Sequence, residues 1–138
     1  MSAEPSAGIS CNCGSGEPAL VVACSGASDV GEIADHAARR LAREGVAQMY
    51  CLAGVGARLA GMVETAKSAS GLLVIDGCAT ACGKHAVKGA GIGNFLHLQI
   101  RDLGLVKGST PVDDAAVERV ASRARDMIEA CGKGCCGT

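Results

Sequence analysis

The sequence predicts an α/β fold: a single open parallel four-stranded sheet with helices packed on it. Three observations lead there. Short apolar runs alternate with stretches of helical period along the chain. The run Leu72-Leu73-Val74-Ile75 is continuously apolar, as a central parallel strand covered on both faces should be. The length of 138 residues suits one domain able to bury its own core. Strands alternating with helices imply a parallel sheet with right-handed crossovers. Among the possible strand orders 2-1-3-4 is expected, because it sets the two most apolar strands in the centre.

The α/β domain is expected over residues 19–130. Residues 1–18 are rich in Ser, Gly, Pro and Ala without a hydrophobic period and read as a flexible arm, while 131–138 read as a Cys- and Gly-rich tail. Strand one is Leu20-Val21-Val22-Ala23. Asp29 and Glu32 then form a capping-box-like start to a helix whose apolar face is Ile33, Ala34, Ala37, Ala38, Leu41 and Ala42. Glu32, Asp35, Arg39, Arg40 and Arg43 fall on its opposite face, and Gly45 ends it. A weaker strand follows at about residues 46–52. A second helix is expected from Arg58 to Ala69, burying Leu59, Met62, Val63 and Ala66, and Gly71 leads into strand three. Cys82 to Lys88 reads as a short helix closed by Gly89-Ala90-Gly91. From Phe95 to Arg101, Leu96, Leu98 and Ile100 alternate with His97 and Gln99, which suits a more exposed edge strand. Thr110, Pro111 and Asp113 open the last helix, with Val117, Val120, Ala121, Ala124, Met127 and Ile128 on one face and Gly132 as its end. The whole is a Rossmann- or flavodoxin-like plan.

Composition excludes several functions. Phe95 and Tyr50 are the only aromatic residues and Trp is absent, so recognition of single-stranded nucleic acid by base stacking is not expected. Net charge is −1 and the Lys and Arg residues are scattered, leaving no basic footprint for DNA, RNA or an anionic membrane. No apolar run approaches the roughly 18 to 20 residues a spanning helix needs. Met1 to Ala19 contains neither Lys, Arg nor an apolar core, and Leu-Val-Val-Ala-Cys24 lacks the flanks of a lipoprotein cleavage site, so a cytoplasmic location is expected. In that compartment nine cysteines point to thiol or metal chemistry rather than to disulfides.

Cys24, Cys51 and Cys78 recur at a fixed interval of 27 residues, each after a short run expected to form a strand, and Cys82 follows four residues after Cys78. In the order 2-1-3-4 the first three stand on adjacent strands at one sheet edge, beside the topological switch where open sheets bind ligands. Strands about 4.8 Å apart can bring sulfurs to the roughly 3.8 Å separation of a tetrahedral zinc site with Zn–S near 2.3 Å. Cys82 can fold back as a fourth ligand, and the amides of Ser25 to Ser28 and of the helix after Cys78 would offset thiolate charge. A full thiolate sphere leaves no open position, so the role would be structural, sensing or metal handling. Other readings stand beside this one. Cys24 and Cys51 can be small buried hydrophobes. Cys78 or Cys82, activated at a helix amino terminus, can act as a nucleophile in disulfide, persulfide or metalloid reduction. An iron–sulfur cluster also takes four cysteines.

The segments Cys24-Ser25-Gly26-Ala27-Ser28-Asp29-Val30-Gly31-Glu32-Ile33-Ala34-Asp35, Cys51-Leu52-Ala53-Gly54-Val55-Gly56, Ile75-Asp76-Gly77-Cys78 with Cys82, and Asp102-Leu103-Gly104 resemble the bacterial and archaeal DGC-domain family, named for its central Asp-Gly-Cys motif. The resemblance runs from about Leu20 to Ile128. It implies zinc chelation, with Cys24, Cys51, Cys78 and Cys82 as the ligands, and it implies no particular reaction.

Asp76 could accept a hydrogen bond beside the thiols or simply shape the turn before Gly77. His85 could join the site, although its place beside Lys84 reads more simply as surface; His36 and His97 have no motif behind them. Gly54-Val55-Gly56 lacks the remaining glycine and the acidic residue of a dinucleotide site, and Gly89, Gly91 and Gly93 precede a strand, so neither cluster reads as a nucleotide loop. The Ser25–Gly31 loop could hold a small anion but more simply brackets Cys24. Cys11 and Cys13 in the arm, and Cys131, Cys135 and Cys136 in the tail, could chelate thiophilic ions or be incidental thiols.

Overall fold

A computed structural model describes residues 18–136, with side chains described as far as Cys131. Its centre is a four-stranded parallel sheet in the order β2-β1-β3-β4, the expected one, formed by β1 (Leu20–Ala23), β2 (Gln48–Met49), β3 (Leu72–Asp76) and β4 (Leu96–Gln99). Every residue of β1 and β3 is buried, as their apolar sequences require. The register pairs Ala23 with Ile75 across β1 and β3, Val21 with Met49 across β1 and β2, and Asp76 with Gln99 across β3 and β4. All four carboxyl ends therefore share one edge.

Side-chain alternation divides the core into two layers. Val21, Ala23, Leu73, Ile75 and Leu98 face helix α1 (Asp29–Arg43) and the last helix, α5 (Asp114–Cys136). Leu20, Val22, Leu72 and Val74 face Val55, Val63, Ala66 and Val87, which belong to α2 (Leu52–Gly56), α3 (Ala60–Ser68) and α4 (Cys82–Gly89). The helix expected over Arg58 to Ala69 is α3, shortened to Ala60–Ser68, and an unexpected short helix, α2, precedes it; Arg58, at φ +63°, lies between the two, and Leu59 is 53% exposed rather than buried.

Other boundaries shift by smaller amounts. Strand two shrinks to Gln48–Met49 because Cys51 already caps α2. The start of α1 is capped by Ser28, whose hydroxyl accepts from Gly31 N at 3.1 Å, which frees Asp29 for another contact. Strand four ends at Gln99 in a 3-10 turn over Ile100–Leu103. The α5 backbone continues through Gly132 to Cys136, into the segment read as a tail. Cys11 and Cys13, and the side chains of Cys135 and Cys136, lie outside the described residues. No described helix is long and apolar enough to cross a membrane.

Candidate functional site

The loops leaving β1, β2 and β3 surround an open cleft of about 900 Å³ at the carboxyl edge. Cys24, Cys51 and Cys82 all line it, together with Ser25, Asp35, Arg39, Tyr50 and Ala86. Its place follows from topology: β1 and β3 are neighbours, yet the chain leaves β1 for an outer strand on one side and β3 for an outer strand on the other, so their loops diverge.

Each cysteine is placed by a different local device. Cys24 donates its backbone N–H to Ile75 O at 3.0 Å, extending the β1–β3 ladder by one bond, and its half-buried side chain packs on the α1–α5 layer. Cys51 is the residue before α2 and is exposed. Cys82 is the first residue of α4 and is also exposed. Cys78 is half-buried against the α1–α5 layer and is not among the residues lining the cleft. Its carbonyl accepts from Gln99 Nε2 and from Ala81 N. The amide and hydroxyl of Thr80 hydrogen-bond the Cys78 thiol and, with the charge of Lys107, draw its pKa below the ordinary thiol value against partial burial and the charge of Asp76.

The structure does not bring the four thiols together as a cluster. Three share the cleft, but among the described residues no three of His, Cys, Asp and Glu are close enough together to grip an ion. The physical reason lies in the sheet: Cys24 and Cys78 pack toward one helical layer, while Cys51 and Cys82 open helices that lie on the other. The donor chemistry suits a thiophilic ion, but the thiols as placed in this structure do not form a site that would hold one.

Polar partners surround this edge. Asp35 accepts from Ser25 Oγ at 2.8 Å and from Arg39 Nε at 2.6 Å, and these bonds lower its pKa despite its partial burial. Asp29 accepts from Gly108 N at 2.9 Å and Thr110 N at 3.0 Å, holding the loop that bears Lys107 against the start of α1. Asp76 is the one buried polar or charged residue among those described, 1% exposed. Its Oδ1 accepts from Gly83 N at 2.7 Å, and its Oδ2 accepts from Lys84 N at 3.0 Å and lies 2.8 Å from His97 Nε2. Burial raises its pKa, yet His97 and the two amides outweigh this and leave it low. Thr80, Lys107 and His97 were not singled out as site residues by sequence reasoning. His97 could have been found, because the order 2-1-3-4 sets its strand beside the one that ends in Asp76.

A parallel α/β sheet with Asp-Gly-Cys closing its third strand is a DGC domain. The DGC domain model matches residues 20–124, and the chain belongs to that family. It is similar to the anaerobic and virulence modulator AnvM of Pseudomonas aeruginosa, with 40% identity over 88 residues, covering 64% of this chain and 67% of that protein. No solved structure matches it.

Proposed function

We propose that this domain is a cytoplasmic binding site for zinc or a related thiophilic ion, held by the thiolates of Cys24, Cys51, Cys78 and Cys82, with a metal ion rather than a nucleic acid as its partner. The observation that supports it is the convergence of three cysteines, delivered by three separate loops, on one cleft at the topological switch. Cys51 and Cys82 are exposed at helix starts, whereas Cys24 and Cys78 are half-buried. Four thiolates complete the coordination sphere of zinc, so the role is structural, sensing or metal handling rather than hydrolytic.

The test is anaerobic purification without added metal, followed by measurement of zinc, iron, labile sulfide and free thiols per chain. One zinc per chain, lost together with much of the stability on Cys78→Ser, is expected, because ligand binding contributes to folding. Iron with labile sulfide would replace zinc by an iron–sulfur cluster. Absence of metal with an oxidised Cys78–Cys82 pair overturns the metal reading. A second reading then takes its place, and it has an observation of its own: the Cys78 thiol receives the Thr80 donors and the Lys107 charge expected around a nucleophile in disulfide or persulfide chemistry. In that case Cys78→Ser abolishes turnover and leaves the fold intact.

A further inference from the structure

We propose that Asp76, oriented by His97, is a positioning residue that fixes Cys82 at the cleft by capping helix α4 from a neighbouring strand. The metal readout of this proposal rests on the thiolate site above; its thiol readout does not.

Helix α4 has no cap of its own. The residue before it, Ala81, offers no side-chain acceptor and stands in the left-handed region at φ +53°, which costs free energy for a residue with a Cβ. An ordinary capping side chain accepts from the second and third residues of the helix. Here those residues are Gly83 and Lys84, and the carboxylate of Asp76 accepts from both, having come from the end of β3. Cys82 is the helical residue between the left-handed Ala81 and those two amides.

Two further features serve this contact. A Cβ on Gly83 would lie 2.8 Å from Asp76 Oδ1 and 2.8 Å from Val74 Cγ1, so the carboxylate occupies the space that glycine leaves. His97, on β4, closes the remaining side of the carboxylate at Oδ2. A side chain at position 81 could not cap in the ordinary way, because a capping residue uses extended backbone and Ala81 is left-handed. What the remote carboxylate adds is a rigid link between α4 and β3, and hence between Cys82 and the loop that bears Cys78. Ala81 N bonded to Cys78 O at 3.0 Å closes the intervening turn.

The test follows each cysteine separately, by mass-spectrometric alkylation rates with iodoacetamide on the folded, metal-free full chain, for the wild type, Asp76→Asn, His97→Phe and His97→Gln. Asparagine has one acceptor oxygen in place of two, and its amide would face a backbone donor. Asp76→Asn is therefore expected to change the Cys82 rate several-fold while Cys24 and Cys51 keep theirs. His97→Phe, the milder variant if Asp76→Asn fails to fold, should do the same to a smaller extent, and His97→Gln, which keeps a donor, should restore the wild-type rate. In zinc titrations Asp76→Asn should lose about 10- to 100-fold in affinity. On a Cys82→Ser background the same change should cost little more, because the ligand it positions is already gone. Rates that stay at wild-type values, or that rise together at all four cysteines as the domain loosens, overturn the proposal. A wild type that binds no zinc but shows the Cys82-selective change removes the thiolate reading and leaves the positioning role standing. A wild type that binds zinc and is indifferent to Asp76→Asn does the reverse.

Discussion

The three residues of the Asp76-Gly77-Cys78 motif do three different things. Asp76 caps a helix, Cys78 offers a thiol, and Gly77 lets the chain pass close to α1: a Cβ there would lie 2.8 Å from the carbonyl carbon of Val30 and 2.9 Å from its oxygen. Backbone atoms in a helix cannot retreat as the end of a flexible side chain can, so Gly77→Ala should cost about 1–3 kcal/mol in urea unfolding, as overpacking usually does. Gly83→Ala should fall in the same range of about 1–3 kcal/mol, because it displaces the Asp76 carboxylate. Gly61, in α3 with open space around its Cβ position, is the control, and Gly61→Ala should stabilise by about 0.5 kcal/mol through helix propensity alone. The sequence shows the motif but not this division of work, since the Asp76 contacts reach residues 83, 84 and 97 and depend on how strands and helices are apposed.

At the scale of elements, three helices end in the same way. In α1, Gly45 N donates to Ala42 O and Val46 N to Leu41 O; in α4, Gly91 N donates to Lys88 O and Ile92 N to Val87 O. Both are Schellman closures with glycine in the left-handed position, at φ +76° and +87°. Helix α2 closes identically, Arg58 N to Val55 O and Leu59 N to Gly54 O, but with Arg58 in that position at φ +63°. Arg58→Gly should therefore stabilise the domain by about 0.5–1 kcal/mol, the relief of the left-handed strain exceeding the added freedom of the unfolded chain. Urea unfolding of the two proteins measures it. The same substitution pattern explains why α1 and the end of α4 are legible in the sequence and the α2–α3 break is not. Glycine marks the first two ends; an arginine gives no stop signal, so Leu52–Gly56 escaped notice and Arg58 read as the start of a helix. Strand β2 was faint for a related reason, having only two residues in the ladder.

At the scale of the molecule, sheet order was legible because it follows from which runs are apolar throughout, a property of composition along the chain. The arrangement of the thiols was less so: strand spacing sets how near the backbones come, whereas the layer toward which each side chain leans depends on the loop that follows. The α1–α5 interface is tied at its rim by charge. Arg125 bonds Glu44 at 2.8 Å and Glu118 at 3.0 Å, and Arg40 bonds Glu118 at 3.0 Å. The Arg125 bonds hold both glutamates below their ordinary value of 4.5, and the Gly108 and Thr110 amides do the same for Asp29. Because these folded-state values are depressed, the stabilisation is complete above the ordinary carboxylate range and is lost as pH falls through the lower folded values. Thermal melts between about pH 5 and pH 2 should show this loss, weaker in high salt and shallower in Arg125→Gln.

Helix α5 covers α1 and one face of the sheet, yet it comes last in the described chain. During synthesis the strands and the cysteine-bearing loops leave the ribosome before it does. Until it emerges, the apolar layer that receives Val117, Val120, Ala121 and Ala124 stands open to water and to other chains. The nascent protein thus passes through an interval in which the segments bearing Cys24, Cys51, Cys78 and Cys82 are already synthesised while the layer that receives α5 is unsealed, and a chain truncated after Asp113 is expected to be more readily proteolysed than the full chain.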